Sequence, residues 1–266
     1  MGQSIPVTFG SPEFWGEVYA AFAPQLQAIK AIEPLAADMF EAGDSQASQP
    51  VQIVVKLLVR IVADSLNDVL ILAGNGSGLG AMKIARGMFE AAVIAEYLKH
   101  NPKEVEDYRE YGYIARWNRY QKLLKSAPQH AAAISAEVAR DITENYNRVV
   151  SRFTRNGQVR NRWHRKSIQQ MAKEIGRGEQ YDTPYGLAAS VHHSSFEGMA
   201  THLDGNDQGV QFVDRPSLAW VAQALISAHV YVLQALETLN DAITLGFDER
   251  LSEALAGLKS VWSAPG

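Results

Sequence analysis

The chain has 266 residues, which suits one large domain or two small ones. Hydrophobic residues make up 47% and charged residues 20% of it, which excludes a disordered or fibrous protein. The absence of cysteine excludes disulfides and thiol nucleophiles. With a net charge of −4 the whole chain does not have the positive potential of a dedicated nucleic-acid binder, but this does not exclude a local basic patch.

The N-terminal ten residues carry no basic start and no apolar run, so we expect no export signal and a cytoplasmic location. The most membrane-like stretch, 51–73, contains four charged side chains, which would be costly in lipid. We therefore expect no membrane partner.

Apolar residues recur at helical spacing from residue 12 to about 42, where Pro24 and Pro34 should bend or split the helix. A stretch of loop composition follows at 43–50. The sequence therefore predicts two parts, an N-terminal helical extension with its linker over 1–50 and a main helical bundle over 51–266.

Two long helices, 51–73 and 79–100, flank the glycine-rich stretch 74–78, and this pattern predicts an antiparallel helical hairpin. A phosphate-binding loop is the alternative interpretation of the glycines. A Walker loop needs Lys and then Ser or Thr after its last glycine, whereas Gly80 is followed by Ala81. An interhelical turn is therefore favoured.

The rest of the chain also shows helical signals, with a basic, irregular segment at 152–166 and room for one short strand in 204–214. Helices are predicted over about 101–126, 128–150, 167–176, 183–201, 216–245 and 248–260. The fold class is thus all-α, a multi-helix bundle of roughly seven to nine helices with at most one short strand.

Arg86 and Glu90 lie four residues apart on a helix that is apolar on almost every side, so we expect both to be largely buried and bonded. They form either a structural ion pair or one wall of a polar pocket. The facing helix carries a second charged stripe, which we expect to face them: Arg60, Asp64 and Asp68.

Aromatic and basic residues interleave in the helix after Asn101, where Tyr111 and Arg116 are candidates for stacking on bases and holding phosphates. The alternative is ordinary core packing on one face. The segment 152–166 holds six basic residues and no acid, the strongest anion-binding signal in the chain unless it is only a solvated loop. Its candidate binding residues are Arg160, Arg162, Trp163 and Lys166.

His192 and His193 are candidates for a general acid or base, since histidine titrates near neutral pH. Only one can share a face with Arg86 and Glu90, because they point about 100° apart on a helix. We favour His193, which has Glu197 one turn later. The alternative is a core histidine, and neither a metal site nor a cofactor is predicted.

Several motifs resemble those of a bacterial domain-of-unknown-function family: RGMFEAA at 86–92, the tyrosine-rich segment 108–117, WHRKSI at 163–168 and the serine–histidine segment 185–194. The resemblance covers about 51–245. It implies an all-helical fold and a polar site built from these residues, with no established activity.

A looser similarity is to the helical nucleotide-binding and ribonuclease superfamily of prokaryotic toxins and phage-defence proteins. Its ribonuclease motif places an arginine before a histidine on one helix, with four to six residues between them. This chain departs from it, because no arginine occupies 185–188 and Arg160 lies too close to His164.

These observations leave two functional hypotheses. In the first, a defence- or toxin-like protein binds a nucleotide or RNA phosphate with a pocket (Arg86, Glu90 and His192 or His193) and a basic rim (Trp163 to Lys166). In the second, a non-catalytic interaction or small-ligand-binding protein uses the same residues for helix packing. Catalysis and self-association stay open.

Overall fold

The computed structural model describes residues 10–192, 196, 200, 203–206, 209–212 and 216–263. Helices dominate this part of the chain, which confirms the all-α class. The α-helices are α1 (Pro12–Lys30), α2 (Ile32–Gln46), α3 (Pro50–Gly74), α4 (Gly78–His100), α5 (Val105–Ser126), α6 (Pro128–Ala131), α7 (Ala136–Val149), α8 (Ile168–Glu174), α9 (Gly178–Gln180), α10 (Gly186–His192), α11 (Val221–Ile243) and α12 (Asp248–Trp262). Ten of these helices have seven residues or more, against the roughly seven to nine predicted. None of the helices formed by the described residues is long and apolar enough to cross a membrane.

The expectation of at most one short strand needs correction, because the described residues form two antiparallel hairpins. They consist of β1 (Thr154–Arg155) with β2 (Gln158–Val159), and β3 (Leu203–Asn206) with β4 (Gly209–Phe212). The first hairpin turns at Asn156 and Gly157, which both have positive φ, as a two-residue turn of this kind requires. An Asn-Gly pair is a hairpin signal in the sequence, although the segment was predicted to be irregular.

The described residues divide into two compact units. The first contains the residues up to His100 and those from Ile168 onward, and the second contains 101–167. The predicted N-terminal extension and the start of the predicted main bundle lie in the same unit, where α2 packs on both α3 and α11.

In the first unit, α3 and α4 form the predicted hairpin, and both pack against α11. The turn between them is closed by its own bonds: the amides of Gly76 and Ser77 donate to the carbonyls of Ala73 and Leu72. A Cβ at Gly76 would come within 2.8 Å of the Ser217 amide. The glycines therefore serve a tight, covered interhelical turn.

Prolines and glycines act at the helix ends largely as the sequence predicts. The dihedrals of Phe22 are non-helical two residues before Pro24, whereas Pro34 fits within the first turn of α2. The predicted loop at 43–50 is wrong in its first half, because α2 continues to Gln46 with Gly43 packed close to Lys56 and Ile243. α11 starts at Val221 and not at Pro216, after Trp220 in a left-handed conformation.

The second unit contains α5, α6 and α7 with the first hairpin. Its core consists of Ile114, Val149 and Phe153, with Tyr111 and Tyr146 among the residues packed against it. The predicted helix over 128–150 is interrupted, because Ser135 caps a new helix by accepting the amide of Val138. Because Phe153 belongs to this core, it anchors one end of the basic segment 152–166.

Candidate functional site

In the first unit, Arg86, Glu90 and Tyr185 form a closed polar cluster. Arg86 Nη2 lies 2.9 Å from Glu90 Oε1, one turn along α4. The Tyr185 hydroxyl donates to Glu90 Oε1 at 2.8 Å and accepts from Arg86 Nε and Nη2 at 3.3 Å. The prediction that Arg86 and Glu90 are bonded is confirmed. Their side chains are 19% and 34% exposed, so the greater part of each is shielded from solvent, as expected.

Tyr185 is held in place by aromatic packing and by an unusual backbone. It ends a π-helical turn, 181–185, that leads directly into α10. Its ring stacks on Tyr181 at 4.6 Å and packs against Phe89 at 5.0 Å. Single-turn π-helices recur at functional sites, but they also arise where packing shifts a helix by one residue.

The cluster neutralises its own charges. Burial raises the pKa of the Tyr185 hydroxyl, so the group stays a neutral donor to Glu90. For Arg86, burial works against the charged form, and the bonds to Tyr185 and Glu90 outweigh it, so that its pKa is raised. Each charged group is thus paired, and the arrangement suits a structural lock better than a reactive site.

An apolar cavity of about 360 Å³ lies in the same unit. The residues lining it come from α4, the π-helical turn, α10 and α11: Met82, Thr183, Pro184, Leu187, Gln223, Ile226 and Ser227. None of the three cluster residues belongs to this lining, as far as the described part of the chain shows. The cavity therefore does not supply the predicted polar pocket.

The charged stripe on α3 does not face Arg86 and Glu90, which corrects the expected network between the hairpin helices. Arg60 and Asp64 pair with each other at 2.9 Å, with side chains 58% and 62% exposed, and Asp68 is exposed as well. Helical periodicity groups these residues on one face but cannot say whether that face meets a neighbouring helix or solvent.

The described residues give no side-chain geometry for the two predicted histidines. His192 is the last residue of α10, and its side chain is outside the described part of the structure. His193 and Glu197 lie outside the described residues altogether. Their acid–base role stays a prediction. Among the described residues, no group of three or more His, Asp or Glu could hold a metal ion.

In the second unit, two acidic residues of α5 are clamped by arginines. Glu110 is buried and is bonded by Arg148 at 3.2 Å and by Arg152. Asp107 is bonded by Arg152 at 2.5 Å and lies 3.6 Å from Arg160. Sequence reasoning assigned Arg152 and Arg160 to an acid-free segment, and the tertiary structure supplies the acids from 42 to 53 residues earlier.

Other basic residues of this unit are exposed and, among the described residues, have no acidic partner. Three of them lie in the basic segment: Arg155, Arg162 and Arg165. Lys103, Arg119, Lys122, Lys125 and Arg140 are further examples. Arg116, a predicted binding residue, pairs with Asp141 at 3.0 Å.

The aromatic residues of this unit pack against one another. The Tyr111 hydroxyl donates to the carbonyl of Arg160 at 3.2 Å, and Trp117 stacks on Tyr146 at 4.6 Å. Trp163 packs edge-on against Tyr108 at 5.1 Å. The alternative interpretation of the stripe as core packing accounts for these contacts.

His164 is held on both sides of its ring. Nδ1 accepts the backbone amide of Lys166 at 2.9 Å, and Nε2 lies 2.6 Å from a Glu104 carboxylate oxygen. Neither nitrogen is left to accept a substrate proton in this arrangement. The pair therefore orders the segment around Trp163 and Lys166 and is not suited to acid–base work.

The charges are divided very unequally between the two units. Residues 101–167 hold 14 of the 25 lysine and arginine residues and seven of the 29 acids, a net charge of +7. The remaining residues hold 11 and 22, a net charge of −11. The predicted site residues divide likewise: Arg86, Glu90 and the histidines belong to the first unit, and Tyr111, Arg116, Arg160, Arg162, Trp163 and Lys166 to the second.

Residues 52–210 match the family described as a family of unknown function, DUF5677. No curated protein and no solved structure matches the chain significantly.

Proposed function

The chain belongs to the family of unknown function DUF5677, and we propose that it binds the phosphate groups of RNA through the basic unit formed by residues 101–167. A single observation carries this proposal, the net charge of +7 on 67 residues of an acidic chain. Clustered positive charge of this kind attracts polyanions and releases their counterions on binding.

The main contacts in this proposal are the three arginines of the basic segment that have no acidic partner in the part of the chain that the structure describes. Arg155, Arg162 and Arg165 are exposed, and their guanidinium groups are available for bidentate bonds to phosphate oxygens. Arg152 and Arg160 act differently, because they already bond Asp107 and hold the segment in position. Trp163 and Lys166, which were also predicted to bind, directly follow Arg162 and Arg165 in the segment.

The aromatic side chains favour binding without base recognition. Trp117 and Tyr111 are used in internal packing, so they do not offer free faces for stacking. Phosphate contacts position a protein on nucleic acid without reading its sequence. We therefore expect little dependence of affinity on RNA sequence.

The proposal extends to a cytoplasmic, defence- or toxin-like role in bacteria, which the looser sequence similarity supports. His192 and His193 remain candidates for an acid–base role. Growth of a bacterial host is the measurement. Slower growth on expression of the native chain, but not of the His192→Ala, His193→Ala double variant, would support this extension.

A second candidate function is that of a non-catalytic interaction or small-ligand-binding protein, the alternative that the sequence also allows. The cluster of Arg86, Glu90 and Tyr185 favours it, because the charged groups of the cluster already pair with one another across two elements of the fold. On this view the polar residues of the first unit fix helix packing only.

Fluorescence anisotropy with a labelled single-stranded RNA tests the binding proposal. The triple variant Arg155→Ala, Arg162→Ala, Arg165→Ala should weaken binding. It should also lower the slope of log K against log salt by about 2, at roughly 0.7 per lost phosphate contact with single strands. The matched control is Lys83→Ala, Lys173→Ala, Lys259→Ala, which removes three exposed charges from the first unit. Equal losses in both variants, or none in the first, would contradict the assignment.

A further inference from the structure

α3 presents a row of exposed side chains along one side. The spacing alternates between four and three residues, the pattern of a coiled-coil seam. The row consists of Ile53, Leu57, Arg60, Asp64, Asn67 and Ile71. Ile61 borders it. The aliphatic members are strongly exposed: Ile53 by 45%, Leu57 by 61%, Ile61 by 54% and Ile71 by 57%.

This row is more than the scattered exposure that every protein surface shows. The opposite face of α3 is already buried against its neighbours, with Val55, Val59 and Val62 inaccessible to solvent. A helix that is buried on its inner face and also exposes four aliphatic side chains along its outer side is typical of helix-to-helix association. No helix among the described residues covers the outer seam, as the exposures show.

We propose that this seam pairs, antiparallel and about a two-fold axis, with α3 of a second copy of the chain. In the register that centres on the seam, Arg60 faces Asp64 of the partner subunit and Asp64 faces Arg60 of the partner subunit. Ile53 faces Ile71 of the partner subunit at each end. Ile61 comes next to Ile61 of the partner subunit near the axis.

Charge complementarity favours a second copy of the chain as the partner and the antiparallel direction of pairing. The two central positions carry opposite charges, so the antiparallel register forms two identical ion pairs, as an isologous interface requires. A parallel pairing would set Arg60 against Arg60 of the partner subunit and Asp64 against Asp64 of the partner subunit, which is repulsive. In the antiparallel register Leu57 faces Asn67 of the partner subunit, a mixed layer that costs stability and that a parallel pairing would avoid, so the two central charge pairs carry the choice of direction.

The size of the seam predicts a reversible dimer. From Ile53 to Ile71 the helix is about 27 Å long at 1.5 Å per residue. A single helix pair of that length lies at the low end of the area that specific interfaces bury. Trp15 and Tyr19 of α1 are also exposed, and α1 packs on α3 with Trp15 next to Gly74. They can extend the apolar contact, and the dimer should depend on concentration.

Sedimentation equilibrium of the full chain tests the proposal. The native chain should approach twice its monomer mass at about 100 µM, a concentration suited to a small interface. Arg60→Glu and Asp64→Arg should each be monomeric, because each sets like charges against one another. An equimolar mixture of the two variants should regain the dimer mass. Lys83→Glu, on an exposed part of α4, is the matched control and should dimerise like the native chain.

Disulfide trapping tests the direction of pairing, and the absence of cysteine makes each introduced thiol unique. Under mild oxidation, a mixture of Ile53→Cys and Ile71→Cys should form a cross-linked dimer, whereas Ile53→Cys alone should not. Circular dichroism of each variant checks that it folds. A monomeric native chain, a dimeric Arg60→Glu variant, or cross-linking of Ile53→Cys to itself would each overturn the proposal. RNA binding plays no part in these measurements.

Discussion

His229 offers the most quantitative test of the structure. It lies in the middle of α11 and is fully buried. Nδ1 accepts the indole N–H of Trp262 at 3.2 Å, so the ring proton is on Nε2, which has no partner among the described residues. Burial lowers the pKa of His229 to about 4 from an ordinary value of 6.5. The folded state therefore requires the neutral ring.

The pH dependence follows from this shift. The unfolded chain binds the proton near pH 6.5 and the folded chain only near pH 4, so the unfolded state gains protons first. The contribution to stability is complete above about pH 6.5 and is lost progressively as pH falls toward about 4. Each unit of pKa shift corresponds to about 1.4 kcal/mol, so lowering the pH from about 7.5 to about 5 should cost about 2 kcal/mol.

Urea denaturation followed by circular dichroism at a series of pH values measures this loss. In His229→Leu the unfolding free energy should fall by about 2 kcal/mol less than in the native chain over the same pH interval, because the buried imidazole is gone. His130→Leu, which removes an exposed imidazole, is the matched control. Parallel curves for the native chain and His229→Leu between about pH 7.5 and about pH 5 would refute the reasoning.

Two further predictions concern the first unit. Tyr185→Phe removes the hydroxyl shared by Arg86 and Glu90 and should lower the unfolding free energy by about 1 kcal/mol. Glu90→Ala leaves Arg86 without its carboxylate and should lower it more, by about 2 kcal/mol. Equal effects of the two variants in urea titrations would contradict the shared-bond geometry. Gly76→Ala should lower the melting temperature and reduce the unfolding free energy by at least about 1 kcal/mol, because φ is +69° and a Cβ would contact the Ser217 amide. Gly87→Ala, which has open space around it in α4, should raise the unfolding free energy by about 0.5 kcal/mol. A destabilised Gly87→Ala variant would show that the helix is packed differently there.

Periodicity and helix-end signals determined the main architecture from the sequence alone. The α3–α4 hairpin, the end of α5 at Ser126 and the end of the α8 segment at Gly176 all depend on interactions within one or two helical turns. Apolar spacing, a tight glycine turn and a left-handed glycine are local properties. For the same reason the sequence could also indicate that Arg86 and Glu90 are bonded, because they lie one turn apart.

Only the tertiary structure decided which groups meet across long separations in the chain. Tyr185 joins Arg86 from 99 residues away, and Arg152 reaches Glu110 from 42 residues away. Helical spacing placed Arg60, Asp64 and Ile53 on one side of α3, but only packing showed that this side is exposed. A face is buried or free according to what lies beside it, and that depends on the folded arrangement of distant helices. Local sequence patterns carry no information about that neighbour.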